Sequence, residues 1–351
     1  MTQAWLFTGP PGSGRSNAAR AFAAALVCSD DGCGHCADCH TALIGTHPDV
    51  HLVTTELLSI GVELARELVL EAAASPSLGN WRVIVIEDAD RLTEQANNAL
   101  LKNIEEPTPH TVWLLCAASQ DDVLPTLRSR TRHIGLVTPT TKEVAAHLIR
   151  TDAVDPAIAS FAARASQGHI GRARGLAVDV NARRDRTETL RLPSRANDLG
   201  SCLVAARDLI DAATERAEQR TKDQDSMERV ELARGLGVEN PQRVPKWAAP
   251  QFRELGDVQK KRAKRAVRDE VDRDLLDLVS FYRDVMVVQT GADVELVNSE
   301  LAPDIEKLAH HGEPESTLRS MEAILKARER IDANVTPLLA VEELMLTLRA
   351  S

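Results

Sequence analysis

The feature that most restricts the fold of this sequence is a phosphate-loop pattern close to its start. Residues 9–16 read Gly-Pro-Pro-Gly-Ser-Gly-Arg-Ser and fit the pattern G-x-x-x-x-G-K-[ST] at every position except Arg15. An apolar run of strand length, residues 4–8, precedes the loop, and a helical pattern, residues 15–27, follows it. A strand, a glycine-rich loop and a helix in that order predict a nucleotide-binding fold, in which backbone N–H groups and a helix N-terminus bind phosphate.

Apolar runs of strand length alternate with helical patterns over the first part of the chain. Further runs lie at residues 50–53, 83–86 and 112–117, and further helical patterns lie at residues 61–74 and 93–104. The run at residues 83–86 is apolar at every position, as expected of a parallel strand buried on both faces. We therefore predict an α/β class for residues 1–138, a doubly wound parallel sheet, followed by an all-α remainder.

The predicted nucleotide site departs from a catalytic site at several positions. Arg15 stands where lysine is expected, and a planar guanidinium does not replace a compact ammonium. Glu87-Asp88, after the third run, reverses the expected Asp-Glu order, and a polar residue after the fourth run is missing or displaced to Ser119. We expect a site retired from hydrolysis; a glycine-rich turn without a ligand is the alternative. Its candidate residues are Gly9, Gly12, Gly14, Arg15, Ser16, Glu87 and Asp88.

Four cysteines, Cys28, Cys33, Cys36 and Cys39, follow the first predicted helix. The segment that carries them is polar and contains glycine, as a tight metal-binding turn requires. Four thiolates suit a closed tetrahedral zinc site, which is structural because no position is left for water. His35 and His40 are substitute ligands if Cys28 points into the core. Free cysteines in a loop and a redox Cys-x-x-Cys pair are the other interpretations, and the overlapping spacings favour the metal.

Charge and composition limit the kinds of partner. The 351 residues carry a formal net charge of −10, and aromatic residues make up 3%. A chain of this kind does not coat DNA as a polycation, and it lacks the aromatic platforms of a general single-strand reader. Any nucleic-acid contact must come from a local patch or from partner proteins. The basic run at residues 253–268 is interpreted either as a solvated helix face or as a DNA or partner contact.

The sequence carries no obvious targeting or membrane signal. It has no apolar run long enough to span a bilayer, and its start lacks the basic region of a signal peptide. We therefore expect a cytoplasmic location. In that reducing compartment, clustered cysteines indicate a metal before a disulfide.

A basic segment, residues 121–132, follows the fourth apolar run and contains Arg128, Arg130 and Arg132. Arginines at the edge of such a domain can reach across a subunit boundary and neutralise phosphate charge in a neighbour's site. The alternative is a solvated helix end, where cations offset the helix dipole. The pattern fits both interpretations equally well.

Motifs along the chain carry a resemblance to a known family. They are residues 6–12, the four-cysteine segment, residues 45–49 (Gly-Thr-His-Pro-Asp), residues 97–107 (Asn-Asn-Ala-Leu-Leu-Lys-Asn-Ile-Glu-Glu-Pro) and residues 127–130 (Leu-Arg-Ser-Arg). With them the chain resembles the delta-prime family of bacterial DNA polymerase III clamp loader subunits. The resemblance implies three AAA+ domains: a nucleotide-fold domain (1–138) with a zinc module at 28–39, a helical lid (139–192) and a helical collar that oligomerises (193–351).

The resemblance also implies a role. In this family gamma/tau subunits hydrolyse ATP, whereas delta-prime subunits are rigid stators that project the arginine of a Ser-Arg-Cys motif into a neighbour's ATP site. Arg130 matches that arginine, and Thr131 replaces the usual cysteine. Gly171 stands near the position of the gamma/tau lid arginine, with Arg172 and Arg174 close by. These departures favour a stator over a motor subunit.

The implied partners are gamma/tau and delta clamp loader subunits, the sliding clamp and, through the complex, primed DNA. Polymerase activity would belong to the whole assembly, and zinc is the implied cofactor, with ATP binding left open by the altered loop. Two alternatives stand beside this interpretation. One is an ATP-hydrolysing, gamma/tau-like motor that tolerates Arg15, and the other is a stand-alone zinc nucleic-acid-binding module.

Overall fold

The computed structural model describes residues 3–54, 59–238, 240 and 243–350. The chain divides into two compact units, Met1–Arg174 and Gly175–Ser351. The division into three domains with boundaries after residues 138 and 192 stays a prediction. None of the helices in the described part of the chain is long and apolar enough to cross a membrane.

The first unit is built on a five-stranded sheet in which every neighbouring pair is parallel. Its strands are β1 (Ala4–Thr8), β2 (Val50–Val53), β3 (Arg82–Ile86), β4 (Thr111–Ala117) and β5 (Arg132–Gly135). They lie in the order β2-β3-β4-β1-β5, so that β1, the first strand in sequence, lies between β4 and β5. The predicted α/β class and parallel sheet are confirmed.

Helices cover both faces of this sheet. The helices of the first unit are α1 (Arg15–Val27), α2 (Ala37–Ile44), α3 (Val62–Ala73), α4 (Glu94–Glu105), α5 (Pro125–Arg128), α6 (Thr141–Asp152) and α7 (Pro156–Ala165). Leu6, Ile84 and Trp113 form one core with side chains of α3 and α4. Phe7 and Val85 point to the other face and form a second core with α1 and α2. Burial on both faces explains why the central strands are apolar at successive positions.

One strand was missed by the sequence analysis. β5 reads Arg-His-Ile-Gly, and its residues are exposed or half-buried. It pairs with β1 alone, at the edge of the sheet. An edge strand of this kind has no apolar run, because only one side of it is covered, and hydrophobic patterning therefore does not reveal it.

The second unit contains helices only, as predicted for the C-terminal part. Helix α8 (Ile170–Val178) contains the boundary between the units, and it is followed by α9 (Val180–Arg195), α10 (Leu199–Gly235), α11 (Ala249–Thr290), α12 (Ala302–His311), α13 (Pro314–Asp332) and α14 (Pro337–Ala350). Leu209, Leu278, Val285, Ile324 and Met345 are buried members of a core shared by α10, α11, α13 and α14.

Candidate functional site

The phosphate loop lies at the edge of the sheet where the parallel strands end. The N–H of Gly9 donates to the carbonyl oxygen of Ala118, the residue after β4, at 3.2 Å. Gly12 and Gly14 have φ angles of 88° and 84°, in the left-handed region that favours glycine. Gly14 is also the N-cap of α1, so the loop leads directly into a helix N-terminus. The backbone therefore has the form that phosphate loops use.

The side chain of Arg15 is turned back onto this loop. Its Nη1 donates a hydrogen bond of 2.7 Å to the carbonyl oxygen of Gly9. In an intact phosphate loop a lysine extends its ammonium toward the outer phosphates of the nucleotide. Here one nitrogen of the Arg15 guanidinium is bonded to the loop's own backbone.

The acidic pair after β3 is also engaged within the protein. Glu87 Oε1 accepts a hydrogen bond from Nε of Arg20, which lies on α1, at 2.5 Å, and both side chains are largely covered. Asp88 is the N-cap of a 3-10 turn, Ala89–Arg91. Burial raises the pKa of Asp90 in that turn, and the nearby charge of Asp88 raises it further. A carboxylate that binds magnesium or orients water needs free oxygens, and one oxygen of Glu87 is occupied by Arg20.

His169, which the sequence pattern does not mark as a site residue, contacts the phosphate loop at Gly12. His169 precedes α8 and lies so near Gly12 that a Cβ on that glycine would be 2.3 Å from the Cα of His169. The neighbouring Gly168 has a φ of 89°, and a Cβ there would be 2.1 Å from a methyl group of Thr138. Segment 168–169 therefore packs closely against the phosphate loop at Gly12 and against Thr138, which follows β5. No local sequence pattern links Gly12 to a histidine so distant along the chain.

Several residues of the candidate nucleotide site have partners within the protein. The loop is held by Arg15 on one side and touched by His169 on the other. Glu87 is paired with Arg20, and Ser119 uses its N–H and hydroxyl within its own turn, with Asp122 and the N–H of Asp121. A hydrolytic site requires a lysine, a metal-binding carboxylate and a positioned water in one geometry. Here an arginine bonded to the loop stands at the lysine position, and one oxygen of Glu87 is bonded to Arg20.

Arg130 lies just after α5, and four contacts hold its guanidinium. Nε and Nη2 contact the two carboxylate oxygens of Glu105, the last residue of α4, at 3.1 Å and 3.3 Å. Nη1 donates to the carbonyl oxygen of Thr126 at 2.9 Å and to the hydroxyl of Ser129 at 3.2 Å. The Arg130 side chain is still 34% exposed. Glu105 belongs to the sequence motif at residues 97–107 and Arg130 to the motif at residues 127–130, so this ion pair connects the two motifs.

The other two arginines of this segment have different partners. Arg128 pairs with Asp121 at 2.9 Å, where the carboxylate is almost fully exposed. Arg132, at the start of β5, lies over the ring of Trp5 at 5.1 Å, a cation–π contact. The sequence pattern does not distinguish these three arginines, but in the structure each has a different partner: Asp121 for Arg128, Glu105 for Arg130 and Trp5 for Arg132.

The four cysteines come together as predicted. Their sulfur atoms all lie within 4.8 Å of one another, and Cys28 Sγ is 3.8 Å from Cys33 Sγ and 3.7 Å from Cys36 Sγ. A tetrahedral ion with metal–sulfur bonds of about 2.3 Å requires sulfur–sulfur distances of about 3.8 Å. The backbone N–H groups of Cys33 and Asp30 lower the pKa of the Cys28 thiol to about 6. The N–H of Gly34 acts to lower the pKa of Cys39, but burial and the other three cysteines outweigh it and raise that pKa to about 12. The donor set fits a metal ion.

The local structure explains why these sulfurs converge. Cys28 is the C-cap of α1 and Cys36 is the N-cap of α2, where its sulfur accepts the N–H of Cys39 at 3.3 Å. Gly32 and Gly34 adopt φ angles of 89° and 80°, which turn the chain between the helix ends. Cys28 therefore belongs to the cluster, and the cluster does not need the histidines that were considered as substitutes.

Comparisons with known proteins give the family. Residues 1–140 match a family described as "DNA polymerase III, delta subunit", and residues 268–350 match "DNA polymerase III, delta subunit, C terminal". The DNA polymerase III subunit delta' of Bacillus subtilis is 26% identical over 99% of this chain and 91% of its own length. The chain belongs to the DNA polymerase III delta-subunit family. The motifs on which the resemblance was based lie mainly in the first of these matched regions.

Other relatives of this delta-family chain match a shorter part of it in sequence. The subunit delta' of Pseudomonas aeruginosa is 37% identical over 36% of this chain and 40% of its own length. The subunit gamma/tau of Mycobacterium tuberculosis is 34% identical over 38% of this chain and 24% of its own length. A solved gamma subunit-related protein of Thermotoga maritima covers 99% of this chain and 95% of its own, with 16% identity and a TM-score of 0.46. Sequence similarity over a little more than a third of the chain thus includes both kinds of subunit.

In this delta-family chain the Gly-Thr-His-Pro-Asp motif has a structural role. The carboxylate of Asp49, buried at the base of β2, accepts the N–H groups of Ser77, Leu78 and Gly79 at 2.5, 2.7 and 2.9 Å. Burial acts to raise the pKa of Asp49, but the three N–H donors outweigh it and hold the pKa below its usual value. The motif therefore fixes the connection between α3 and β3.

The arginines near the predicted lid position have assigned contacts as well. Nη2 of Arg174 pairs with Oδ1 of Asp152, the last residue of α6, at 2.7 Å. The backbone N–H of Arg172 donates to Nδ1 of His169 at 3.2 Å. Gly171 itself lies in the first turn of α8. In this delta-family chain, therefore, His169 caps the helix that carries these residues.

Proposed function

We propose that this chain is the delta-prime subunit of the DNA polymerase III clamp loader, a stator that does not hydrolyse ATP and donates Arg130 to a neighbouring ATPase subunit. The observation that carries the proposal is a contrast within one domain. The chain's own phosphate loop is bound by Arg15 and its acidic pair by Arg20. Arg130 remains partly exposed at the edge of the same domain.

The contacts of Arg130 are suited to an arginine finger. The pairing with Glu105 is exposed on both sides, and such pairs contribute about 0–1 kcal/mol. A bidentate contact between a guanidinium and a phosphate in a covered site is stronger than this. Arg130 can therefore exchange Glu105 for the phosphate of a nucleotide bound to a neighbour, while Thr126 and Ser129 lie beside it to guide its position.

We propose further that the cysteine cluster holds a structural zinc ion. The sulfur–sulfur distances match four thiolates around one tetrahedral ion, and a complete thiolate shell leaves no position for water. The ion would join the end of α1 to the start of α2. It would thereby stabilise the first unit and take no part in nucleotide chemistry.

The partners that follow from this proposal are gamma/tau and delta subunits, the sliding clamp and, through the assembled loader, primed DNA. The membership of the chain in the delta-subunit family supports a place in a hetero-oligomer. A stator has its effect only there, because its finger completes a site that another chain contains.

The experiment that tests the proposal is reconstitution of the loader with gamma/tau and delta subunits, with the ATPase rate followed on primed DNA. We expect Arg130→Ala to assemble normally and to lower the rate, because the finger stabilises charge in the transition state. Arg128→Ala is the matched control, since Arg128 lies two residues away and pairs only with exposed Asp121 in the described contacts. Equal rates for wild type and Arg130→Ala would discard the finger role.

A second candidate is an ATP-hydrolysing, gamma/tau-like motor. It is favoured by the 34% identity to a gamma/tau subunit over 38% of this chain. The contact of Arg15 with Gly9 and the pairing of Glu87 weigh against it. ATP turnover by the purified chain that is lost on Arg15→Ala would select this candidate.

A further inference from the structure

The second unit carries a long helical hairpin that extends past its core. Helices α10 and α11 contain 37 and 42 residues. The main apolar core of the unit uses α10 up to Ala213 and α11 from half-buried Val267 onward. About 20 residues of each helix therefore continue beyond that core, which is roughly 30 Å at 1.5 Å per residue.

The inner side of the hairpin is well ordered by its own contacts. Buried Arg262, on α11, pairs with Asp225 at 2.7 Å and with Glu228 at 2.6 Å on α10. Near the tip, Phe252 packs into a small apolar cluster with Ala233, Val238 and Ala248. Ion pairs and apolar packing therefore hold the two helices of the hairpin together beyond the core, and we call this part of the hairpin the arm.

The outer side of α11 is basic. Arg253, Lys260 and Lys264 are exposed and lie within about 40° of one another around the helix, on the side opposite buried Arg262. Lys260 also contacts Asp257 at 3.4 Å. Residues 243–268 contain nine lysines and arginines and two acidic residues, in a chain whose net charge is −10. This segment is therefore a local basic patch in an acidic chain.

The turn that leads into α11 carries the most exposed aromatic side chain among the described residues. Trp247 is 60% exposed and follows exposed Lys246. Aromatic residues are scarce in this chain, and the other three tryptophans, Trp5, Trp81 and Trp113, are half-buried or buried in the first unit. A flat ring in solvent, next to cations, is an arrangement on which an unpaired base can stack.

We propose that this basic arm, formed by the outer side of α11 and Trp247, binds single-stranded DNA. The cations contact backbone phosphates, and Trp247 stacks on an unpaired base. Charge complementarity selects a polyanion, because most exposed side chains on the outer side of α11 are cations. A protein partner of the usual kind would need a contiguous apolar centre, and the exposed apolar side chains Met227 and Val230 lie on α10. The proposal is independent of the role of Arg130, because the arm and Arg130 belong to different units.

The test is DNA binding by the full chain, measured by fluorescence anisotropy with a labelled oligothymidylate at several salt concentrations. The arm variant is Arg253→Glu/Lys260→Glu/Lys264→Glu. The control variant, Lys142→Glu/Lys307→Glu/Lys326→Glu, makes the same change in net charge at exposed lysines outside the arm. We expect the arm variant to lose at least about tenfold in affinity and the control less than about twofold. The slope of log K against log salt should fall by about 2 in the arm variant, since each lost phosphate contact contributes about 0.7.

The stacking contact has its own variants. Trp247→Ala should weaken binding at least about fivefold, and Trp247→Tyr should retain most of the affinity because a flat ring remains. Circular dichroism melting should be the same for all variants, because the substituted side chains are exposed.

Three outcomes would overturn the proposal. The first is no binding by the wild-type chain at low salt, and the second is an equal loss in the arm and control variants. The third is unchanged DNA binding by the arm variant together with failure to assemble with the other loader subunits. That third result would assign the arm to a protein contact.

Discussion

Among single residues, the pair of Glu105 and Arg130 controls how the proposed finger is presented. Both carboxylate oxygens of Glu105 contact the guanidinium, so the negative charge competes with any phosphate for Arg130. Glu105→Gln removes that charge and keeps the size of the side chain. We expect the ATPase rate of the reconstituted loader to rise by up to about fivefold, since an exposed pair contributes at most about 1 kcal/mol.

The adjacent glutamate supplies the control for that prediction. Glu106 is the C-cap of α4 and is exposed, so Glu106→Gln makes the same chemical change one residue away. It should leave the ATPase rate unchanged. A fall in the Glu105→Gln rate toward that of Arg130→Ala would contradict competition, and it would mean that Glu105 positions the finger.

Asp49 is the residue whose charge should matter most for the stability of the first unit. Its carboxylate accepts three N–H groups in a buried site, and an amide in its place would accept them more weakly and without charge. We expect Asp49→Asn to lower the free energy of unfolding by about 2 kcal/mol at neutral pH. Thermal melting followed by tryptophan fluorescence measures it, because Trp5, Trp81 and Trp113 lie in this unit.

The pH dependence of this effect has a definite sign. Because the pKa of Asp49 is lower in the folded chain than in the unfolded chain, its contribution is fully present above the ordinary carboxyl pKa of about 4. It is lost as the pH falls from there through the folded pKa. The difference between wild type and Asp49→Asn should therefore shrink in acid. Asp155→Asn is the control, since an exposed N-cap accepts asparagine equally well; a similar loss there would contradict the prediction.

At the scale of helices and strands, the sequence predicts those elements that have a clear local pattern of apolar residues. β1 and β2 have the predicted bounds, and β3 and β4 begin one residue earlier, because strands buried on both faces show as apolar runs. β5 and α2 were missed, since one is a polar edge strand and the other is held by cysteines and carries little helical periodicity. The contact of His169 with Gly12 is long-range in sequence, so no local pattern could have predicted it. Arg15 departs from the loop pattern in the sequence itself, whereas its hydrogen bond to Gly9 depends on how the loop folds.

The segment between α1 and α2 is the element most dependent on a ligand. It has little apolar core of its own, so metal-binding energy should serve as folding energy there. We expect the purified chain to contain one zinc ion, and removal by a chelator to lower the melting temperature of the first unit. Cys36→Ser should have the same effect on zinc content and melting.

His35 provides the control for the metal prediction. It is exposed, and its Nδ1 contacts the carbonyl oxygen of Cys33 at 2.9 Å, outside the cluster of sulfurs. His35→Ala should therefore keep the zinc. Loss of zinc from His35→Ala, or an unchanged melting temperature after complete zinc removal, would contradict a structural site made of the four cysteines.

At the scale of the whole chain, the proposed loss of ATP hydrolysis depends on several contacts of the first unit. This unit combines a glycine-rich loop, a parallel sheet and a helix N-terminus, the arrangement that the sequence predicts for a nucleotide site. Three separate parts of it have partners within the protein: Arg15 on the loop, Glu87 at the end of β3, and segment 168–169 beside Gly12. Because these contacts are independent of one another, restoring one residue should not restore the site.

The last prediction follows from that independence. Arg15→Lys returns the expected loop residue, yet Glu87 stays paired with Arg20 and His169 stays against Gly12. We expect neither the wild-type chain nor Arg15→Lys to release phosphate from ATP above the rate of buffer, with a gamma/tau subunit preparation as the positive control. Turnover by Arg15→Lys alone would show that the lysine was the single missing group. In that case the contacts of Glu87 with Arg20 and of His169 with Gly12 would have to open when ATP binds, and the chain would differ from an active motor by one substitution.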